Sequence, residues 1–277
     1  AQGSGGETPT KLQLRLDPPA SSWATLVATY GASLCWRYDS TVTHFVDMVG
    51  SKVWDSETGI ADDPNCVTGG SGGSWGIGVS RINNLSEYTW NDAGFTEVLV
   101  FWPHDAGPMN EDRFFVSVSG AGAAPGGAQP SAICHNFGQD RVYCNSTTTD
   151  ASAMMFANPS IATNRLWAGL KGEPLILFLE RVTNGANIEF RFWGPNGSGV
   201  IAAMPNAVNF NGTHGNGGDY SFKPKPTTSH YTDVDLYLGV SSLETAPDHK
   251  FGIAGYALIP GTIDATARTA IAALFGW

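Results

Sequence analysis

Apolar and polar positions alternate in short runs along much of this chain, and the runs are separated by turn-forming residues. The clearest unit is Leu175-Ile-Leu-Phe-Leu-Glu-Arg-Val-Thr183, then Asn184-Gly185, then Asn187-Ile-Glu-Phe-Arg-Phe-Trp193. Asn-Gly between two β-patterned runs is a strong short-range hairpin signal, because both central positions of a tight hairpin turn favour φ > 0. In the second arm Ile188, Phe190 and Phe192 share one face and Glu189 and Arg191 the other, so one face is expected buried and the other solvated. Further strands are expected over Glu97–Trp102 (ended by Pro103), Arg113–Ser119, Asp233–Gly239 and Phe251–Ile259. Glycines inside the last of these point to close backbone approach or a bulge. The period changes only at the end. Ile263, Ala267, Ile271 and Leu274 recur at helical spacing, with Asp264 placed as N-cap and Gly276 as a stop.

No segment repeats at a fixed period, which argues against propellers and solenoids. Thr68-Gly-Gly-Ser-Gly-Gly-Ser74 reads as a surface loop, since the strands on either side do not change in composition. The expected organisation is a flexible N-terminal arm over 1–10 and one domain over 11–277. Composition fits this reading: 34 glycines, nine Trp, 42% hydrophobic and only 14% charged residues suit short strands joined by turns and a large core. Charge removes whole classes of partner. A formal net charge of −10, a pI near 4.9 and no Lys/Arg run give no cationic face for a phosphate backbone, so nucleic acid is not expected. No run of 18 apolar residues exists, so no transmembrane helix or membrane insertion is expected either. The chain opens on Ala-Gln-Gly-Ser, without Met or a signal peptide, and reads as a processed product.

The C-terminal residues carry a resemblance. Asp235-Leu-Tyr-Leu-Gly239, then Phe251-Gly-Ile, Leu258-Ile259 and Ile263-Asp-Ala-Thr-Ala-Arg-Thr-Ala-Ile271, resemble the ending of concanavalin A-like (laminin G-like) jelly-roll domains. Those domains close with a strand ending in Ile-Gly, a Phe-x-Gly-x-Ile strand and a short capped helix containing an Arg. Here Asp264 takes the cap position and Arg268 that of the helix arginine, while the strands end Leu-Gly and read Phe-Gly-Ile. Leu34-Cys-Trp-Arg-Tyr-Asp39 through Asp47 and Gly50 is similar to the opening strand and its Asp-x-x-Gly segment. The resemblance spans roughly residues 30–277 and implies an all-β, two-sheet antiparallel jelly-roll sandwich with a short C-terminal helix. Its motifs are turns, a cap and core positions, so no function comes with them.

Chemistry has to be sought residue by residue. Glycosidases need two carboxylates around the sugar bond. The acid-x-acid pairs here are Asp55/Glu57, in a turn-like segment, and Asp233/Asp235, on one face of a strand; a solvated loop and a solvated strand face explain them as well. Glu180 and Glu189, with Arg181 and Arg191 nearby, read as cross-strand ion pairing. A lyase reading would draw on Arg113, His135 and Tyr143. The six histidines and four cysteines show no His-x-x-x-His or Cys-x-x-Cys spacing for zinc. The resemblance suggests Ca2+ as the one candidate cofactor, held by carboxylates such as Asp47 or Asp219, with Asp62 and Asp63 as alternatives. Four cysteines allow two bridges, Cys35 with Cys66 and Cys134 with Cys144, each adding about 2–4 kcal/mol, or four buried thiols. Trp75, Trp102 and His104 sit at loop edges where an aromatic face could meet a sugar, although most Trp residues are core.

A fold signature without a catalytic one favours a non-catalytic recognition module, glycan-binding or for attachment, at an extracellular or virion surface. The alternatives are a structural or decoration protein that oligomerises with other subunits, as a homo-oligomer or in a larger assembly, and a polysaccharide lyase or glycoside hydrolase.

Overall fold

The computed structural model describes residues 15, 17–50, 52–63, 75–85, 94–103, 112–120, 131–136, 141–148, 151–157, 174–184, 187–195, 199–203, 207–209, 220–224, 234–241, 244–247 and 251–277. Every strand pairing among them is antiparallel, and the pairings fall into two layers. The first is built around β18 (Phe251–Pro260), which lies between β1 (Leu34–Asp39) and β5 (Phe95–Pro103). β1 continues to β2 (His44–Asp47), and β5 to β10 (Leu175–Asn184) and then β11 (Asn187–Pro195). β11 carries β12 (Ile201–Ala203) and β14 (Tyr220–Pro224) at its far edge. In the second layer β4 (Gly76–Leu85) lies between β3 (Ser56–Asp62) and β15 (Val234–Leu238). β15 pairs with β6 (Asp112–Gly120), followed by β7 (Ser131–Asn136), β8 (Arg141–Thr148), β9 (Ala151–Ala157) and β13 (Ala207–Asn209). β16 (Val240–Ser241) and β17 (Glu244–Pro247) form a short hairpin on β6. One pair, Ile253 opposite Gly76, joins the layers.

The expected hairpin is present. Its closing pair is Asn184 opposite Asn187, so the connection is residues 185–186, one position on from Asn-Gly. The expected strands over 97–102, 113–119, 233–239 and 251–259 appear with ends shifted by one or two residues. β18 carries a bulge between Ile253 and Gly255, the irregularity its glycines pointed to.

Both faces of the first layer are buried, which explains why β5 and β10 read as almost continuous apolar runs. On one face Leu34, Trp36, Leu99, Phe101, Leu177, Leu179, Tyr256 and Leu258 are closed off, and the second layer contributes Ile82, Leu236 and Leu238, buried with them. That face also holds Glu97, fully buried, whose Oε1 accepts a 2.8 Å hydrogen bond from the Tyr256 hydroxyl. On the other face Cys35, Val98, Val100, Trp102, Ile176, Phe178 and Ala257 pack beneath two helices. The side of the β10–β11 hairpin expected in water is therefore roofed: Glu180 is buried, and Trp193 packs against the helical core.

The helices are α1 (Ala20–Tyr30) and α2 (Ala265–Leu274). The pattern analysis does not anticipate α1. It begins at Pro19, which supplies a fixed φ at a place where no N–H bond is needed, and ends at Gly31 in the left-handed region, φ 66. Trp23 and Leu26 are buried from it, and Trp23 meets Phe275 edge to face with 4.8 Å between ring centroids. α2 behaves as expected at its start, where Asp264 accepts from the Ala267 N–H at 2.7 Å, a cap worth about 1 kcal/mol. Its buried stripe differs from expectation: Arg268, Ile271, Ala272 and Phe275 face the sheet, while Ile263, Ala267 and Leu274 are only partly covered. The reason is Arg268, which points inward. Its Nη1 donates to Glu180 Oε1 at 2.5 Å and to the Ile263 carbonyl at 2.6 Å, and its guanidinium lies 3.7 Å over the Trp193 ring. Glu180 is thus paired with the helix arginine, and its Oε2 accepts from Trp193 Nε1 at 3.3 Å. The same layer gathers both ends of the described chain. Arg15 donates from Nε to the Gly276 carbonyl at 2.8 Å and sits over the Trp277 ring.

Candidate ligand-binding site

The side chains of β15 alternate, so Leu236 and Leu238 point into the sandwich while Asp235 and Tyr237 belong to the outer face of the second layer. Arg81 of β4 stands directly opposite Tyr237. Its Nη2 donates to Asp235 Oδ2 at 2.5 Å, and its guanidinium lies 5.2 Å from the Tyr237 ring centroid. Asp235 is almost fully buried, whereas a third of the Arg81 side chain is exposed. The hydrogen bond to Asp235 pushes the Arg81 pKa above its ordinary value, opposed by burial, and the charge of Asp55 adds to the rise. Among the described residues, two polar atoms here have no partner: the Arg81 Nε–H, a donor, and Asn83 Oδ1, an acceptor two residues along the same strand. The Asn83 N–H is satisfied by Asp55 Oδ2 at 2.6 Å. The short β16–β17 hairpin lies against β3 and β4 beside this cluster.

On the opposite face of β4 from Arg81, Glu57 of β3 bridges two groups. Its Oε2 meets His44 Nδ1 at 2.8 Å and its Oε1 accepts from Ser80 Oγ at 3.3 Å. Ser–Glu–His is the wrong order for nucleophilic catalysis, which needs the imidazole between the hydroxyl and the carboxylate to take the proton.

The residues expected to bind a ligand or metal fare differently. Trp75 and Trp102 are buried and pack on each other edge to face, 5.4 Å between centroids, in the helix-side core; neither ring has a face left for a sugar. Asp47 is spent on a turn, its oxygens accepting the Val49 and Lys52 N–H groups, each at 2.9 Å. Asp62 Oδ1 accepts from the Tyr38 hydroxyl at 2.8 Å, and burial together with this bond raises the phenol pKa. Asp63 is fully buried. No group of three or more His, Cys, Asp or Glu among the described residues could hold a metal ion. His104, Asp219, Asp233 and Cys66 lie outside the described residues. Of the lyase set, Arg113 of β6 is paired with His135 of β7, and Tyr143 of β8 with Cys134. Cys134 and Cys144 lie in neighbouring positions of the β7–β8 pair, Cys134 opposite Tyr143 and Cys144 opposite Ile133.

Cys35 is a buried free thiol, its Sγ 3.7 Å from the Trp23 carbonyl, which corrects the pairing expected with Cys66. Burial, with the Asp47 charge adding to it, pushes its pKa up to about 12. Iodoacetamide should therefore leave Cys35 untouched in the native protein and alkylate it in denaturant without reductant. Recovery of a disulfide-linked Cys35–Cys66 peptide by mass spectrometry would disprove this.

Sequence reasoning missed Arg81, Asn83 and Tyr237. The signal was the alternation Ser80-Arg-Ile-Asn83, opposite a strand already recognised at Asp235.

No protein-family model and no curated protein sequence matches the chain. Solved structures do. Galectin LEC-6 of Caenorhabditis elegans is 16% identical over 64% of this chain and 94% of its own, TM-score 0.27. A structure of botulinum neurotoxin type C, whose cell entry depends on two ganglioside molecules, is 8% identical over 89% of this chain and 51% of its own, TM-score 0.47. Trypanosoma rangeli sialidase is 8% identical over 89% of this chain, TM-score 0.42, and the chain spans only 33% of its length. In its own pairings, with β18 central to one layer and the Asp264-capped helix bearing Arg268 packed on it, this protein is an antiparallel, mostly β fold with two short helices.

Proposed function

We propose that the chain is a non-catalytic glycan-recognition module working at an extracellular or virion surface, with its contact site at Arg81 and Asn83. The observation that carries this reading is the unmatched donor and acceptor, Arg81 Nε–H and Asn83 Oδ1, set two residues apart on β4. Buried polar atoms are normally paired, and leaving one unpaired costs about 1–3 kcal/mol. A sugar hydroxyl is suited to both at once, since it accepts from the guanidinium and donates to the amide oxygen. The ion pair with Asp235 fixes the guanidinium in place, so little side-chain entropy remains to be lost on binding. Asp235 is committed to Arg81, which leaves it a positioning group rather than a free acid.

A glycan array probed with the full chain tests the reading. Binding is expected to at least one oligosaccharide class and to fall about tenfold or more in Arg81→Ala, with the far-UV circular dichroism unchanged. Binding that survives Arg81→Ala and Asn83→Ala together would move the site elsewhere.

A further inference from the structure

The charges around Arg81 say which sugars the site takes. We infer that it selects neutral glycans and discriminates against those bearing carboxylate or sulfate, an inference that rests on the reading of this site as glycan-binding.

The argument is one of charge and of hydrogen-bond polarity. Arg81 is the cation at the centre of the cluster, and its Nη2 is already held by the buried Asp235 carboxylate. On the neighbouring strand segment Asp55 lies close enough to act on the Arg81 charge, and its Oδ2 is bound to the Asn83 N–H. The Arg81 guanidinium therefore faces two carboxylates, Asp235 and Asp55, on a chain whose formal net charge is −10. A carboxylate or sulfate brought to Arg81 would enter a field already negative, where like-charge juxtaposition is costly.

Hydrogen-bond polarity points the same way. An ionised carboxylate or sulfate is acceptor-only, so it could take the Arg81 Nε–H but would leave Asn83 Oδ1 unmet. A hydroxyl, or two neighbouring hydroxyls on one ring, satisfies both atoms. Neutral hexopyranosides present neighbouring hydroxyls around the ring edge.

Matched pairs of oligosaccharides separate the outcomes: neutral chains, and the same chains carrying sialic acid, a uronic acid or sulfate, titrated against the full-length chain at low and at physiological salt. The neutral member is expected to bind at least about tenfold tighter at low salt, and the ratio should shrink as salt screens the repulsion. Asp235→Asn should reduce the ratio further by removing one negative charge. If that variant fails to fold, the salt dependence of the unaltered protein carries the test. Acidic members binding as tightly as neutral ones, or tighter, would overturn the selectivity while leaving the glycan-binding reading intact. No binding to either series would remove the reading itself, and the selectivity with it.

Discussion

Replacing Arg268 with alanine should cost the fold about 3–5 kcal/mol, the range for breaking one side of a buried ion pair. The guanidinium holds Glu180, which is only 2% exposed, and its loss leaves that buried carboxylate without its counter-charge. The loss is compounded at two other contacts. The Ile263 carbonyl at the start of α2 loses a 2.6 Å donor, and the Trp193 ring loses the cation stacked on it. Chemical denaturation followed by Trp fluorescence would read the change. The paired substitution Glu180→Leu with Arg268→Met distinguishes a charge effect from a packing one. It removes both charges and keeps apolar volume, so most of the lost stability should return. A double variant as unstable as Arg268→Ala would show that the helix is held by something other than this pair.

Gly255→Ala should destabilise the protein by about 3 kcal/mol, at the upper end of what one added methyl does in a packed interior. Gly255 sits at the β18 bulge, where the Trp23 ring of α1 lies across the backbone. A Cβ there would fall 2.6 Å from Trp23 Cζ2 and closer still to the Trp36 carbonyl oxygen. The carbonyl belongs to the β1–β18 pairing and cannot move without disturbing it, while the indole is pinned against Phe275. The expected signature is a lower denaturation midpoint with an altered near-UV Trp signal. Combining it with Trp23→Leu, which shortens the side chain overhead, should give a penalty smaller than the sum of the two. A Gly255→Ala protein within about 0.5 kcal/mol of the parent would mean the helix floats more freely on the sheet than its contacts imply.

The strands were legible because each one's pattern is local. Val98 to Trp102 and Ile176 to Phe178 read as strand from their own residues, and Asp264 reads as a cap from the three that follow it. α1 was not, although Trp23, Leu26, Val27 and Tyr30 do recur at helical spacing. Its Ser, Thr, Val and Tyr residues have middling helix propensity, and what stabilises the helix is burial of Trp23 and Leu26 against strands distant in sequence. Trp75 and Trp102 each stand beside loop-like sequence, which looks the same whether a ring turns inward or outward. The candidate site was illegible for a different reason. Arg81 and Asp235 are 154 positions apart, and a search for acid pairs at short spacing cannot find an acid whose partner is a base on another strand. Arg268 was recognisable as the helix arginine, but its partner Glu180 is 88 positions earlier and was assigned to its own hairpin.

The contact of Arg15 with Gly276 and Trp277 gives the molecule a direction. Helices, first layer, second layer and then the Arg81 face succeed one another, so both ends of the described chain leave from the side opposite the candidate site. Anything that holds this protein by Arg15 or by Trp277, whether a surface or a larger body, turns the Arg81 face away from itself and out toward whatever approaches.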